Sequence, residues 1–184
     1  DLHFEKGSYF AARNNPIPVH DTLETLQRMQ KVIDKYMPEK IICLGDSFHD
    51  QKAELRIDPN DLNLLNELCN KQEWVWILGN HDKHFPKNIP GIAVENTKIG
   101  SLHFSHENEA VPLSVIGHYH PKCRMSLHGH RINGRCFIND GNLLVMPSFG
   151  AFTGGLYTDS EVISALFTNK AKTHLIYNNK IWAV

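Results

Sequence analysis

The 184-residue chain contains no run of about 18 apolar residues, so nothing in its sequence reads as a membrane-spanning helix. Its opening residues also lack the charged start and apolar centre of a secretory signal, and the expected location is the cytoplasm. Cysteine is sparse. Cys43, Cys69, Cys123 and Cys136 stand far apart, with no CxxC pair and none of the close spacing that staples small secreted scaffolds. They read as reduced thiols, mostly buried. Net charge is nearly absent as well, at −1 from 19 Lys and Arg against 20 Asp and Glu. That removes the broad basic field that holds long duplex DNA by counterion release, so any contact with nucleic acid must be local. Finally, the chain starts at Asp1 rather than Met, and a strand that would present this Asp is expected upstream of it.

What is present is ordinary globular composition, 41% hydrophobic and 21% charged, which suits one domain over residues 1–184. The 12 histidines exceed the needs of packing, and metal binding is the first explanation to test.

Residues 20–36 read as an amphipathic helix with Leu23, Leu26, Met29, Ile33 and Tyr36 on one face. Asp21 and Glu24 have capping-box spacing, and Pro38 marks the stop. A buried strand follows from Lys40 to Leu44 and ends in Gly45-Asp46. A second helix over 60–69 carries Leu62, Leu64, Leu65 and Leu68, and a second strand runs from Glu73 to Leu78. This is a βαβ rhythm, in which ligands collect at the carboxyl ends of the strands. From Ile92 the pattern changes to short β runs over 92–95, 101–105, 113–116, 135–138, 143–146 and 174–176. Asn133-Gly134 and Asp140-Gly141 read as hairpin turns. Two packed sheets are expected, the second partly antiparallel.

Metal-ligating residues stand at the ends of the apolar runs: Asp1-Leu2-His3, Gly45-Asp46, Gly79-Asn80-His81-Asp82 and Gly117-His118-Tyr119-His120, with His106 after Ser105. A pair of divalent cations about 3.5–4 Å apart needs such an inventory of carboxylates, imidazoles and an amide, with open positions for water and a phosphate oxygen. Asp46 suits a bridging role, since a carboxylate can give one oxygen to each cation. Asn80 offers a neutral amide oxygen and leaves His81 free to act on substrate. His118 and His120 sit at i and i+2, so a kink is needed for both to reach neighbouring cations. His103 points opposite to His106 in a strand and reads as a packed histidine. His20, His84, His128, His130 and His174 read as surface or packing residues. His49, Asp50, Lys6, Lys83, Lys122 and Arg124 flank the motifs and are candidates for supporting or substrate contacts.

This ordered set resembles the signature of the calcineurin-like metallophosphoesterases. Residues 1–8 and 147–155 resemble, more narrowly, the branch associated with DNA ligase and helicase genes in repair clusters. The resemblance implies a mixed α/β (α+β) fold, a four-layer αββα sandwich of two mixed sheets. It implies one cation held by Asp1, His3, Asp46 and His120, and another by Asp46, Asn80, His106 and His118. His81 would be the acid or charge stabiliser near the phosphate, with Asp82 orienting it. His49, Lys83 and Arg124 remain the substrate-contact candidates. Mixed N and O ligation suits Mn²⁺, Fe or Zn²⁺ better than Mg²⁺, and Mn²⁺ is favoured.

Three functions are open at this point. The first is a dinuclear phosphodiesterase acting on nucleic acid, a DNA nuclease in repair, with ligase or helicase proteins as functional associates. The second is a phosphodiesterase or phosphatase for small nucleotides. The third is a protein-binding scaffold, whose mark would be lost ligands, whereas all seven positions are filled here.

Overall fold

The computed structural model describes every residue except Pro16, Val19 and His128. The chelation-like pairing of His128 with His130 therefore lies outside the described residues. Two compact units make up the chain, one of Asp1–Glu95 with Phe149–Phe152 and one of Asn96–Ser148 with Thr153–Val184.

The first unit is parallel α/β. Helix α1 (Lys6–Ala11) and helix α2 (Asp21–Tyr36) precede β1 (Lys40–Leu44); α3 (Pro59–Cys69) then leads into β2 (Glu73–Ile77) and β3 (Ile92–Val94). The three strands form a parallel sheet in the order β1-β2-β3. In β2, Trp74, Val75, Trp76 and Ile77 are all buried, the continuous apolar run of a central parallel strand covered on both faces. Trp74 and Trp76, two residues apart, share a face and stack at 4.9 Å. Gly91, at φ +122°, lets the chain pass against the Trp76 indole, where a Cβ would collide. Helix α3 starts as its sequence dictates: the Asp58 side chain accepts from the Asn60 N–H at 2.8 Å and Pro59 occupies the first turn.

Helix α2 buries Leu26, Met29 and Ile33 as its periodicity predicts. Two expectations fail there. Tyr36 is 66% exposed at the helix end, its ring lying beneath Lys35. The capping box does not form, because His20 is the N-cap and Asp21 is already helical; Glu24 pairs with Arg28 at 2.7 Å instead.

The second unit is β-rich. Its sheet orders β11-β10-β8-β9-β6-β5-β4, with β7 on β8. The strands are β4 (Asn96–Ile99), β5 (Leu102–Ser105), β6 (Ser114–Ile116), β7 (Lys122–Leu127), β8 (His130–Asn139), β9 (Leu143–Val145), β10 (Lys172–Tyr177) and β11 (Lys180–Ala183); a four-residue helix, α4 (Glu161–Ser164), precedes β10. Parallel β5-β6 and β6-β9 pairs sit beside antiparallel neighbours, so the sheet is mixed.

Asp140-Gly141 does turn the β8–β9 hairpin. Asn133-Gly134 does not turn at all; it lies in the middle of β8, opposite Cys123 and Arg124 of β7. The glycine serves packing, since a Cβ at Gly134 would sit 2.8 Å from Leu175 Cδ1 and 3.1 Å from the Ile176 carbonyl oxygen.

Candidate metal centre

In the first unit, residues 1–4 run beside the loop that leaves β1. His3 N–H donates to Asp46 O at 2.9 Å, Phe4 N–H to Ser47 O at 2.9 Å, and His49 N–H back to Phe4 O at 2.9 Å. This backbone pairing brings Asp1, His3 and Asp46 to one place, and all three are buried. The β2 strand delivers the rest: past its end, Gly79 lies against the Asp46 carboxylate and backbone N, where a Cβ would collide. His81 N–H then donates to Asp46 Oδ1 at 2.9 Å. Donor atoms of His3, Asp46 and His81 all lie within 4.8 Å of one another, a mixed imidazole and carboxylate set that fits a divalent cation. Asn80, beside them in sequence, is exposed.

His81 is held by its neighbours while its ring stays 45% exposed. Its Nδ1 donates to the His49 carbonyl oxygen at 2.7 Å, its face stacks on the His49 ring at 5.2 Å, and His3 meets its edge at 5.4 Å. Its other nitrogen, Nε2, lies 3.9 Å from Asp46 Oδ2. Asp82 is bonded elsewhere. Its carboxylate accepts from the Ser47 N–H at 2.6 Å, the Phe48 N–H at 3.2 Å and the Gly79 N–H at 2.8 Å. It therefore fixes the Asp46 loop against the end of β2. Burial raises its pKa, with the Asp46 charge adding to that and the three N–H groups opposing it.

His49 is a buried ring whose pKa falls to about 4, through burial first and then the nearby His81 and Lys6. Tyr9 and Phe10 of α1 pack against it at 4.6 and 5.7 Å, and its Nδ1 is 3.5 Å from His3 Nδ1. Asp50 is engaged by both guanidinium nitrogens of Arg56, and Arg56 Nε donates to Ser8 Oγ at 3.0 Å. Lys83 is exposed beside Asp82. Tyr9, Phe10 and Arg56 escaped the sequence reading: short, glycine-containing α1 has no apolar period to announce it.

In the second unit, His106 and His118 converge, with Nε2 of one 3.1 Å from Nδ1 of the other and rings edge to face at 4.9 Å. Glu107 Oε1 is 4.0 Å from His118 Nδ1. The kink expected at Gly117-His118-Tyr119-His120 is present, with φ +62° at His118 and +46° at His120. Gly155 lies against the His120 carbonyl, where a Cβ would collide, which gives the 150–155 stretch a packing reason for its glycine. His103 is a packed residue, buried and bonded to Glu109 Oε2 at 3.0 Å. Arg124 is exposed and lies over the Tyr157 ring at 3.7 Å.

Four of the seven sequence-predicted ligands share one backbone feature. His3 (φ +49°), Asp46 (+46°), His118 and His120 all occupy the left-handed region without being glycine. Such residues cost of order 1–3 kcal/mol each and concentrate where function holds them.

The sequence profile of the calcineurin-like phosphoesterases matches residues 1–148. No curated protein matches the chain. Among solved structures, the Pseudomonas putida nuclease MPE superposes with a TM-score of 0.74 at 24% identity, covering 100% of this chain and 84% of the other, which shows a shared fold. The phosphoesterase YfcE from E. coli aligns with a TM-score of 0.43 and 16% identity over 90% of this chain and 93% of its own.

Proposed function

The chain belongs to the calcineurin-like phosphoesterase family and is a metal-dependent phosphoesterase, and from that premise we propose that it is a two-metal phosphodiesterase acting as a nuclease on nucleic acid. DNA repair in the cytoplasm, alongside ligase or helicase proteins, is the setting we propose for it. The observation that carries the metal chemistry is the burial of Asp1, His3 and Asp46 side by side through the backbone pairing of residues 3–4 with 46–47, on left-handed backbone at His3 and Asp46.

By the family resemblance Asp1, His3, Asp46 and His120 would hold one cation, and Asp46, Asn80, His106 and His118 would hold the other. The donor set mixes imidazole nitrogen with oxygen, which favours Mn²⁺, then Fe or Zn²⁺, over Mg²⁺. When bound, such a pair neutralises phosphate oxygens and acidifies a water for in-line attack. The chain's own part is proton handling. His81 is oriented by the His49 carbonyl, which engages Nδ1, so Nε2 is the nitrogen that would pass a proton to the departing oxygen. A placed acid of this kind contributes on the order of 10²–10⁴ in rate. Asp82 contributes as a positioning residue, by holding the loop that carries Asp46. His49, Lys83 and Arg124 remain the proposed substrate contacts.

A second reading, a phosphodiesterase or phosphatase for small nucleotides, is supported by the net charge of −1. The two are separated by assaying the manganese-loaded protein on bis(p-nitrophenyl) phosphate and p-nitrophenyl phosphate, then on single-stranded and duplex DNA. We expect diester hydrolysis and DNA cleavage, with His81→Ala lowering kcat by about 10²–10⁴. Diester hydrolysis with DNA left intact would favour the small-nucleotide reading.

A further inference from the structure

Cations are scattered thinly over most of this chain, but not over the β7–β8 ribbon. Within β7, Lys122, Arg124 and Ser126 alternate with Cys123 and Met125; within β8, Arg131, Asn133 and Arg135 alternate with Ile132, Gly134 and Cys136. The register pairs Lys122 with Arg135, Arg124 with Asn133 and Ser126 with Arg131. Directly paired residues share a face, so all four cations stand on one side of the ribbon. The opposite side is spoken for: Cys123, Ile132 and Cys136 are buried, and Met125 packs on their cluster.

The cationic side is open. Arg124 and Arg131 are exposed, and Lys122 and Arg135 are partly so. Tyr157 extends this face, because its backbone bridges to Lys122. Its ring lies under Arg124 at 3.7 Å and Lys122 at 4.7 Å, and its hydroxyl accepts from Asn133 Nδ2 at 3.0 Å. Arg124 is paired with Asp159 at 4.0 Å, with both side chains largely exposed. An exposed pair of that kind is weak and competes little with a phosphate for Arg124.

We infer that this face of the β7–β8 ribbon, Lys122, Arg124 and Arg131 with Tyr157, binds the phosphodiester backbone of a single nucleic-acid strand. The inference rests on the nuclease reading and specifies its substrate as a strand of several nucleotides. Same-face residues recur about every 6.8 Å along a strand, a spacing suited to successive phosphates of an extended single strand. The ribbon begins two residues after His120, which that reading makes a metal ligand, so it would take phosphates flanking the one being cleaved. A local strip also reconciles nucleic-acid binding with a chain of no net positive charge, since salt-dependent affinity needs only the phosphates actually contacted.

The test is a fluorescence-anisotropy titration of labelled oligo-dT with the manganese-loaded full chain, carrying His81→Ala to suppress cleavage, at several salt concentrations. Three phosphate contacts predict a slope of log K against log salt of about −2.1. Arg124→Gln with Arg131→Gln should lower its magnitude by about 1.4. Arg124→Lys with Arg131→Lys, which keeps both charges, should preserve it and so separates lost charge from lost folding. An unchanged slope in the Gln variant, equal binding of duplex DNA, or equal competition by polyaspartate would each overturn the inference. Failure to hydrolyse bis(p-nitrophenyl) phosphate by the unmutated protein would instead strike the phosphodiesterase reading and leave this binding result standing.

Discussion

Asp46 and His118 occupy the same backbone state in two unlike settings. Each follows a glycine and each has a positive φ, +46° and +62°. Asp46 leaves a parallel strand flanked in sequence by the long helices α2 and α3, whereas His118 follows β6 of a mixed sheet with one four-residue helix nearby in its unit. The comparison teaches that the architecture behind a ligand matters less than the break that ends its strand. A strand in progress sends neighbouring side chains to opposite faces, and a left-handed residue turns the chain sharply enough to redirect one.

The most severe way to break this comparison is to remove a donor from each side. Asp46→Ala and His106→Ala should both reduce hydrolysis of bis(p-nitrophenyl) phosphate to background, while circular dichroism shows both folded. Activity surviving His106→Ala would mean that the first unit works alone.

Next in size are the cores. Trp76→Ala in the first unit should cost about 3–5 kcal/mol and Leu175→Ala in the second about 2–5 kcal/mol, since both side chains are fully buried. Urea denaturation measures both; losses under 1 kcal/mol would show that these clusters can collapse around the gap.

A smaller effect sharpens the role of His49. Its folded pKa of about 4 lies below the ordinary 6.5, so the unfolded chain binds the extra proton first. Its contribution to stability is therefore complete above about pH 6.5 and is lost as pH falls toward 4. Melting curves of metal-free protein over that range should show a shallower decline in His49→Gln; identical declines would contradict the assignment.

The smallest effect concerns the thiols. Burial pushes Cys43 and Cys69 up to about 12 and Cys136 higher still, and all four cysteines are buried. Iodoacetamide at pH 8 should label the native protein far more slowly than the urea-unfolded chain, and equal rates would show those sites to be open.

How much of this was legible in the sequence depended on whether a residue's partner was a side chain or a backbone. The apolar spacing of Leu26, Met29 and Ile33 announced α2, and Trp74 to Ile77 announced β2, because burial leaves its period in the side chains. The same logic placed Asp46 just past the end of β1. It did not reveal what holds Asp82, which accepts from three backbone N–H groups of the Gly79 and Ser47–Phe48 segments, or what orients His81, which is the His49 carbonyl. Backbone groups carry no sequence signal. It failed at Asn133-Gly134 because the glycine answers to Leu175, some forty residues away, rather than to a local turn. Strands β4 and β7 were missed for a related reason: their polar face residues, as in Lys122 to Leu127, dilute the apolar alternation that would mark them.

Isothermal titration of the metal-free protein with Mn²⁺ bears most directly on the central claim. Two equivalents should bind to the unmutated chain, and Asp46→Ala should abolish at least one of them. A heat trace indistinguishable from dilution, with the imidazole proton resonances of His3, His81, His106 and His118 unmoved by added metal, would contradict the account.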